Sequence, residues 1–239
     1  MTGAKVVIAD VDPKTYNMDI ENLEQAIESW QGPEEIRAII PVHEFGRPAE
    51  IGSLSDVADD HKMLIIEDAA CALGATVDEK RVGTFGAAGC FSFHPRKTLT
   101  TGEGGAIATN DANLARRLRL LRNHGMERTN SVLSFQEPGL NYRLTNFQSA
   151  LGRSQLPRLD GWITNRRRLV RHYCELLRPL EERGILSLPA GAPGHSWQTF
   201  MITLDRSIDR DEVIRSLRSM GIESNLGAQR LAELGLYGA

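Results

Sequence analysis

Lys97 stands in the run Cys-Phe-Ser-Phe-His-Pro-Arg-Lys-Thr-Leu-Thr-Thr-Gly-Glu-Gly-Gly, residues 90–105. Upstream, the run Ile66-Glu67-Asp68-Ala69-Ala70 sets a carboxylate at the end of an apolar segment. A lysine amine condenses with an aldehyde to form an imine, and an aspartate can hold a proton on a pyridine nitrogen. These are the two polar handles that a pyridoxal 5′-phosphate enzyme needs, because a protonated ring draws off the electrons of a carbanion formed beside the imine. Neither residue alone carries the argument. Their flanks do.

The elements around these residues must present them at one end of a sheet. Residues 5–9, 37–42 and 63–66 read as strands, and 20–30 and 48–60 as helices, with Asp19 near the start of the first. Strands alternating with helices predict an α/β fold with a mostly parallel sheet covered on both faces. Ligands in such sheets sit beyond the carboxyl ends of the strands, where Asp68 and the loop His43-Glu44-Phe45-Gly46 both fall. Residues 90–94 and 105–109 read as two further strands, with Lys97 and the glycines in the connection between them. A helix over 111–123 follows, capped by Asp111 and ended by Gly125; the stretch 132–142 reads as irregular. Helices over 145–156 and 159–182 meet near Pro157. A Pro/Gly-rich linker (189–194), a strand over 199–204 and a helix over 209–220 open a smaller unit. The expected division is 1–158 for a large cofactor-binding domain and 159–239 for a connecting helix with part of a small α+β domain.

The 239 residues suffice for one large domain and part of another. A net charge of −3 gives no field to draw nucleic acid or an anionic membrane. The one dense basic run, Arg166-Arg167-Arg168, reads as a solvated helix face. Cys71, Cys90 and Cys174 are far apart, with no metal-ligand spacing, which argues for free thiols in a reducing cytoplasm. No apolar run reaches the ~20 residues of a membrane span, and the opening residues lack a signal-peptide core.

Several of these runs, taken in order, resemble the DegT/DnrJ/EryC1/StrS aminotransferases. The resemblance is carried by Pro41-Val42-His43-Glu44-Phe45-Gly46-Arg47-Pro48, Glu67-Asp68-Ala69-Ala70, Ser92-Phe93-His94-Pro95-Arg96-Lys97 and Gly102 to Gly105, then by Arg122-Asn123-His124-Gly125 and Asn141-Tyr142-Arg143-Leu144-Thr145-Asn146. It implies a pyridoxal phosphate enzyme of fold type I, resembling aspartate aminotransferase, that moves an amino group, with glutamate as donor, to a nucleotide-linked keto sugar. Lys97 would form the internal aldimine and shuttle the proton. Asp68 would pair with the ring nitrogen and Ser92 with the phosphate, while Asn141 would reach the phosphate of a neighbouring copy in a homodimer. Glu67 is then structural. Cys71 stands where many relatives carry Gln or His against the ring hydroxyl; a thiol is a poor donor, so a small buried filler is the expected role. His94 and His124 are expected to pack in the core or in turns, and the glycines at 102, 104 and 105 to let the backbone pass close to Lys97.

Two departures bear on activity. The family carries a further segment before residue 5, with a phosphate-holding helix start and an aromatic that stacks on the ring, and its small domain continues past residue 229. The chain is therefore expected to be truncated at both ends and, by itself, to bind the cofactor weakly. A catalytically inactive remnant acting as a binding module is the alternative. A dehydratase of the same fold is a further one, but relatives that dehydrate replace the lysine with histidine, which Lys97 argues against.

Overall fold

A computed structural model describes residues 3–129, 132–229 and 231. The central sheet has four strands in the order β1–β2–β5–β6: β1 (Ala38–Ile39), β2 (Leu64–Asp68), β5 (Ala88–Ser92) and β6 (Gly105–Ala108). The first three run parallel and β6 returns antiparallel to β5. This mixed α/β sheet matches the expected class. The reversal at β6 brings Lys97 into a loop that leaves and re-enters the same end of the sheet.

The register decides which residues face the site. Ile39 pairs with Ile65, and both are buried under α1 (Ile20–Ser29) and α2 (Ile51–Asp60) with Leu23, Leu54 and Val57. Asp68 pairs with Cys90, so alternation puts Asp68, Cys90 and Ser92 together on the opposite face. On that face Ile40, Leu64 and Ile107 are exposed, so among the described residues helices cover only one side. The expectation of two covered faces is corrected in this respect. The strand expected over residues 5–9 is also absent. Among the described residues its backbone has no neighbouring strand to pair with, and Val6, Val7 and Ile8 stay exposed.

The helices start where short polar side chains can take up free amides. Asp19 accepts from Asn22 N, and Asp111 caps α3 (Ala112–Leu121) through Asn113 N and Leu114 N. Thr145 and Gln148 form a reciprocal capping box on α4 (Asn146–Gln155). A 3₁₀ turn over Leu156–Arg158 joins α4 to the long α5 (Leu159–Glu182), and Asp209 caps α6 (Arg210–Ser219).

Three small antiparallel pairs decorate this frame: β3 (Thr76–Val77) with β4 (Lys80–Arg81), β7 (Met126–Thr129) with β8 (Val132–Phe135), and β9 (Leu186–Ser187) with β10 (Thr203–Leu204). The second pair replaces part of the stretch expected to be irregular. In the first, Asp78 and Glu79 both take positive φ, the geometry that two-residue hairpin turns require. The strand expected over 199–204 shrinks to β10.

Candidate active site

Asp68 ends β2, and the neighbouring chain follows it closely. Val42 forms a parallel bridge with Asp68, His43 N donates to Asp68 O at 3.0 Å, and Asp68 N donates to Pro41 O at 2.8 Å. One carboxylate oxygen, Oδ1, accepts from Ala70 N at 2.9 Å, which turns the side chain at the strand end. Cys90 lies beside it across the ladder; burial, then the Asp68 charge, push its thiol above the ordinary range.

Beneath Asp68 lies a buried anion. Glu67 and His43 are both 0% exposed. Glu67 Oε2 accepts from His43 Nε2 at 3.0 Å and from Gly83 N at 2.6 Å, while Oε1 accepts from Phe85 N at 2.7 Å and Gly86 N at 2.8 Å. Ala49 N donates to His43 Nδ1 at 2.9 Å, so the imidazole hydrogen is on Nε2 and points at Glu67. Burial alone would push the Glu67 carboxyl up. The His43 bond and the three amides outweigh it and hold the group below its ordinary range. Glu67 thus ties the end of β2 to residues 83–86 and to the His43 turn, in keeping with the structural role expected from sequence.

Lys97 sits half-buried in the loop between β5 and β6. Its Nζ donates to Cys71 Sγ at 3.0 Å, and Lys97 N donates to His94 O at 2.9 Å. Cys71 is half-buried as well, so it belongs to the lysine's surroundings and not to the core; the buried-filler expectation is corrected. Glu44 reports on the same neighbourhood. Burial, then the charge of Asp68, raise its carboxyl, against the opposing pull of the Phe45 amide and Lys97. Glu44 thus lies within electrostatic reach of both Asp68 and Lys97, and nothing in the sequence singles it out beyond its place in the motif.

Ser92 ends β5 on the Asp68 face, and its Oγ accepts from His94 N at 3.3 Å. His94 Nδ1 in turn accepts from Arg96 N at 3.2 Å, so His94 serves the turn before Lys97 as expected. His124 takes positive φ in the turn that follows α3. Gly104, at φ +143°, lets Gly104 O accept from Phe93 N at 2.8 Å; a Cβ there would come within 2.6 Å of Leu144 Cδ2. Asn141 is exposed, bridged to Asn123, and within this chain no hydrogen bond joins it to Lys97, Asp68 or Ser92 among the described residues.

The donor set suits pyridoxal phosphate on chemical grounds. A half-buried amine can take the aldehyde, a carboxylate whose second oxygen accepts no hydrogen bond among the described residues can take the ring N–H, and a hydroxyl on the same sheet face can meet a phosphate oxygen. Among the described residues no group of three or more His, Cys, Asp or Glu could hold a metal, and no helix is long and apolar enough to cross a membrane.

The chain resembles known proteins over most of its length. The chain is 40% identical over 224 residues to GDP-perosamine synthase of Caulobacter vibrioides, matching 93% of this chain and 59% of that protein. It is also 40% identical over 227 residues to a UDP-N-acetyl-3-dehydro-alpha-D-glucosamine 3-aminotransferase of Acidithiobacillus ferrooxidans, matching 93% of this chain and 57% of that one. The solved structure of a DegT/DnrJ/EryC1/StrS aminotransferase from Brucella abortus superposes with a TM-score of 0.89 at 35% identity, over 98% of this chain and 62% of that one. The chain thus spans less than two thirds of the length of these relatives. The model of the DegT/DnrJ/EryC1/StrS aminotransferase family matches residues 1–233, and the chain belongs to that family.

Proposed function

We propose that the complete protein is a pyridoxal phosphate-dependent aminotransferase that passes an amino group, with glutamate as donor, to a nucleotide-linked keto sugar. The observation that carries this reading is the Lys97 amine, held 3.0 Å from Cys71 Sγ, which follows the Asp68 carboxylate by three residues beyond the end of β2. The named relatives, one acting on a UDP-linked dehydro sugar, support the substrate class. When bound, the cofactor supplies the aldehyde that carries the amino group and the ring that accepts electron density.

The chain's own residues do the rest. Lys97 Nζ holds the cofactor between turnovers and moves the proton at the substrate carbon. The Asp68 carboxylate holds a proton on the ring nitrogen, since a negative charge there favours the protonated form. The Ser92 hydroxyl donates to the phosphate, a charge-assisted contact. Cys71 Sγ offers Lys97 a soft, weak acceptor, which orients the amine without binding it tightly. A second copy completes the site: Asn141 and Arg143 flank Tyr142 in an exposed loop beside α4, where aromatic side chains also stand exposed, and this is the surface expected to meet a partner.

The test is to load the complete protein with pyridoxal phosphate, reduce with borohydride and map the peptides. The pyridoxyl group is expected on Lys97. Incubation with glutamate and a nucleotide-linked keto sugar should give the amino sugar, and Asp68→Asn should slow that turnover by about 100-fold or more. Labelling elsewhere with Lys97 free, or parental turnover in Asp68→Asn, would overturn the assignment.

A further inference from the structure

Gln198 lies far along the chain from Lys97, yet its side-chain amide bonds to the residues on both sides of that lysine. Gln198 Nε2 donates to Arg96 O at 2.7 Å, and Thr98 Oγ1 donates to Gln198 Oε1 at 2.8 Å. The Thr98 hydroxyl is used twice, because its oxygen also accepts from Arg166 Nη1 at 2.8 Å. Arg166, on α5, donates as well to Trp197 O at 3.2 Å, which closes the ring of contacts back to Gln198. The Gln198 bond to Arg96 O is exposed, whereas the bonds among Gln198, Thr98, Arg166 and Trp197 O are part-buried, and burial lowers the Arg166 guanidinium below its ordinary range. Such bonds, which include a charged donor, are stronger than exposed neutral ones.

The same segment is fixed to the Asp68 side of the site. Ser196 N donates to Gly46 O at 2.9 Å and Thr199 N to Phe45 O at 3.2 Å. At Gly46, φ is +90°, and a Cβ would fall 2.9 Å from Gln198 N and 2.4 Å from Ser196 Oγ, so only glycine permits this approach. The 3₁₀ turn Glu44–Gly46 follows His43, whose N–H bonds to Asp68 O. The buried His195 stacks on Trp197 with ring centroids 3.8 Å apart, which sets the shape of the segment before it reaches Gln198. Residues 195–199 therefore touch the turn beside Asp68 with their backbone and the loop of Lys97 with one side chain.

We propose that Gln198, with Thr98 and Arg166, is a positioning bracket that sets Lys97 relative to Asp68. The proposal rests on the reading of Lys97 as the amine that holds the cofactor. Nothing in the bracket touches Lys97 Nζ; it acts through the backbone on either side. A misplacement of about 1 Å at such an amine is enough to slow a step about 100-fold, so loss of one side of the bracket is expected to slow capture of the cofactor about tenfold.

The complete protein and its Gln198→Met and Thr98→Val variants should be mixed with pyridoxal phosphate. The rise of the visible imine band is followed, then borohydride reduction and peptide mapping give the label on Lys97. Met fills the volume of Gln without its two hydrogen bonds, and Val keeps the shape of Thr without the hydroxyl. Each variant is expected to capture the cofactor about tenfold more slowly with an unchanged thermal midpoint, and the double variant to be no slower than about one of them alone, since both remove the same bracket. Parental labelling on Lys97 with unchanged rates in both variants would overturn the bracket alone. If Gln198→Met fails to fold, Thr98→Val decides by the same rate. A parent that carries its label on another lysine would overturn the reading of Lys97 and the bracket with it.

Discussion

Around Glu67 a buried anion receives two donors on each oxygen, all from the chain itself, whereas around α4 aromatic side chains stand in the open. Phe147 is 83% exposed and Phe135 70%, with Leu140 and Tyr142 exposed between them in sequence. The first region satisfies its costly group internally, so its contribution is to the stability of the folded chain. The second leaves apolar area in water, which gains free energy only when another surface covers it. One surface serves folding and the other serves association, and mutations should separate them.

The largest effect is expected at the anion. Glu67→Ala strands the His43 N–H and three amides and should lower unfolding free energy by roughly 3–5 kcal/mol in urea titrations. A loss below ~1 kcal/mol would mean that water replaces the carboxylate and that the region is not internally closed. Acid should strain the same buried side. His195 has its pKa lowered to about 3, by burial first and then by the Arg47 charge, with Arg167 adding and the Gly46 carbonyl opposing. The unfolded chain then takes up a proton that the folded one refuses, so stability falls as pH drops from 6.5 toward about 3. Between pH 7 and 4.5 this costs about 2–3 kcal/mol, a loss that His195→Gln should largely lack when the two proteins are melted side by side.

At the exposed surface the expected signs differ. Phe135→Ser and Phe147→Ser in the complete protein should leave the unfolding of the single chain within about 0.5 kcal/mol. Sedimentation should nevertheless show dimer dissociation increased by about tenfold or more. An unchanged association constant would break the contrast between the two regions. The smallest effect is at Thr145, where Ala removes the hydroxyl half of the capping box, leaving Gln148 Oε1 to accept from the residue-145 amide, and should cost about 1 kcal/mol; a helix α4 that melts unchanged would show that its contacts with the lysine loop, through Gln155 and Gln148, hold it without that half of the cap.

Much of the frame was legible because its signals are local. Asp19 and Asp111 mark helix starts by their own chemistry, and both caps are observed; Thr145 and Asp209, read as the first residues of their helices, are caps as well. Strands need partners, and the sequence of residues 5–9 cannot say whether a partner lies beside it. The β7–β8 pair was missed for the converse reason, since Met126–Thr129 has no alternation strong enough to announce a strand. At the site, the positions of Asp68 and Lys97 at one end of the sheet were readable from motif and strand ends. The partners of Glu67 were not, because three of them are backbone amides that no side chain advertises. Gln198 was equally silent, because its bonds span about a hundred residues of chain and depend on a strained segment, with Trp197 at φ +54°.

The anchoring of residues 83–86 by Glu67 also has a meaning in time. By shape this is a loop between β4 and β5, the kind of segment whose amide hydrogens normally trade with solvent within the fast motions of the surface. Here Gly83, Phe85 and Gly86 can release their hydrogens only if the chain lets go of a buried carboxylate. In deuterated water these three amides should keep their protons as long as those of β2, so that an irregular segment shares the clock of the sheet beneath it.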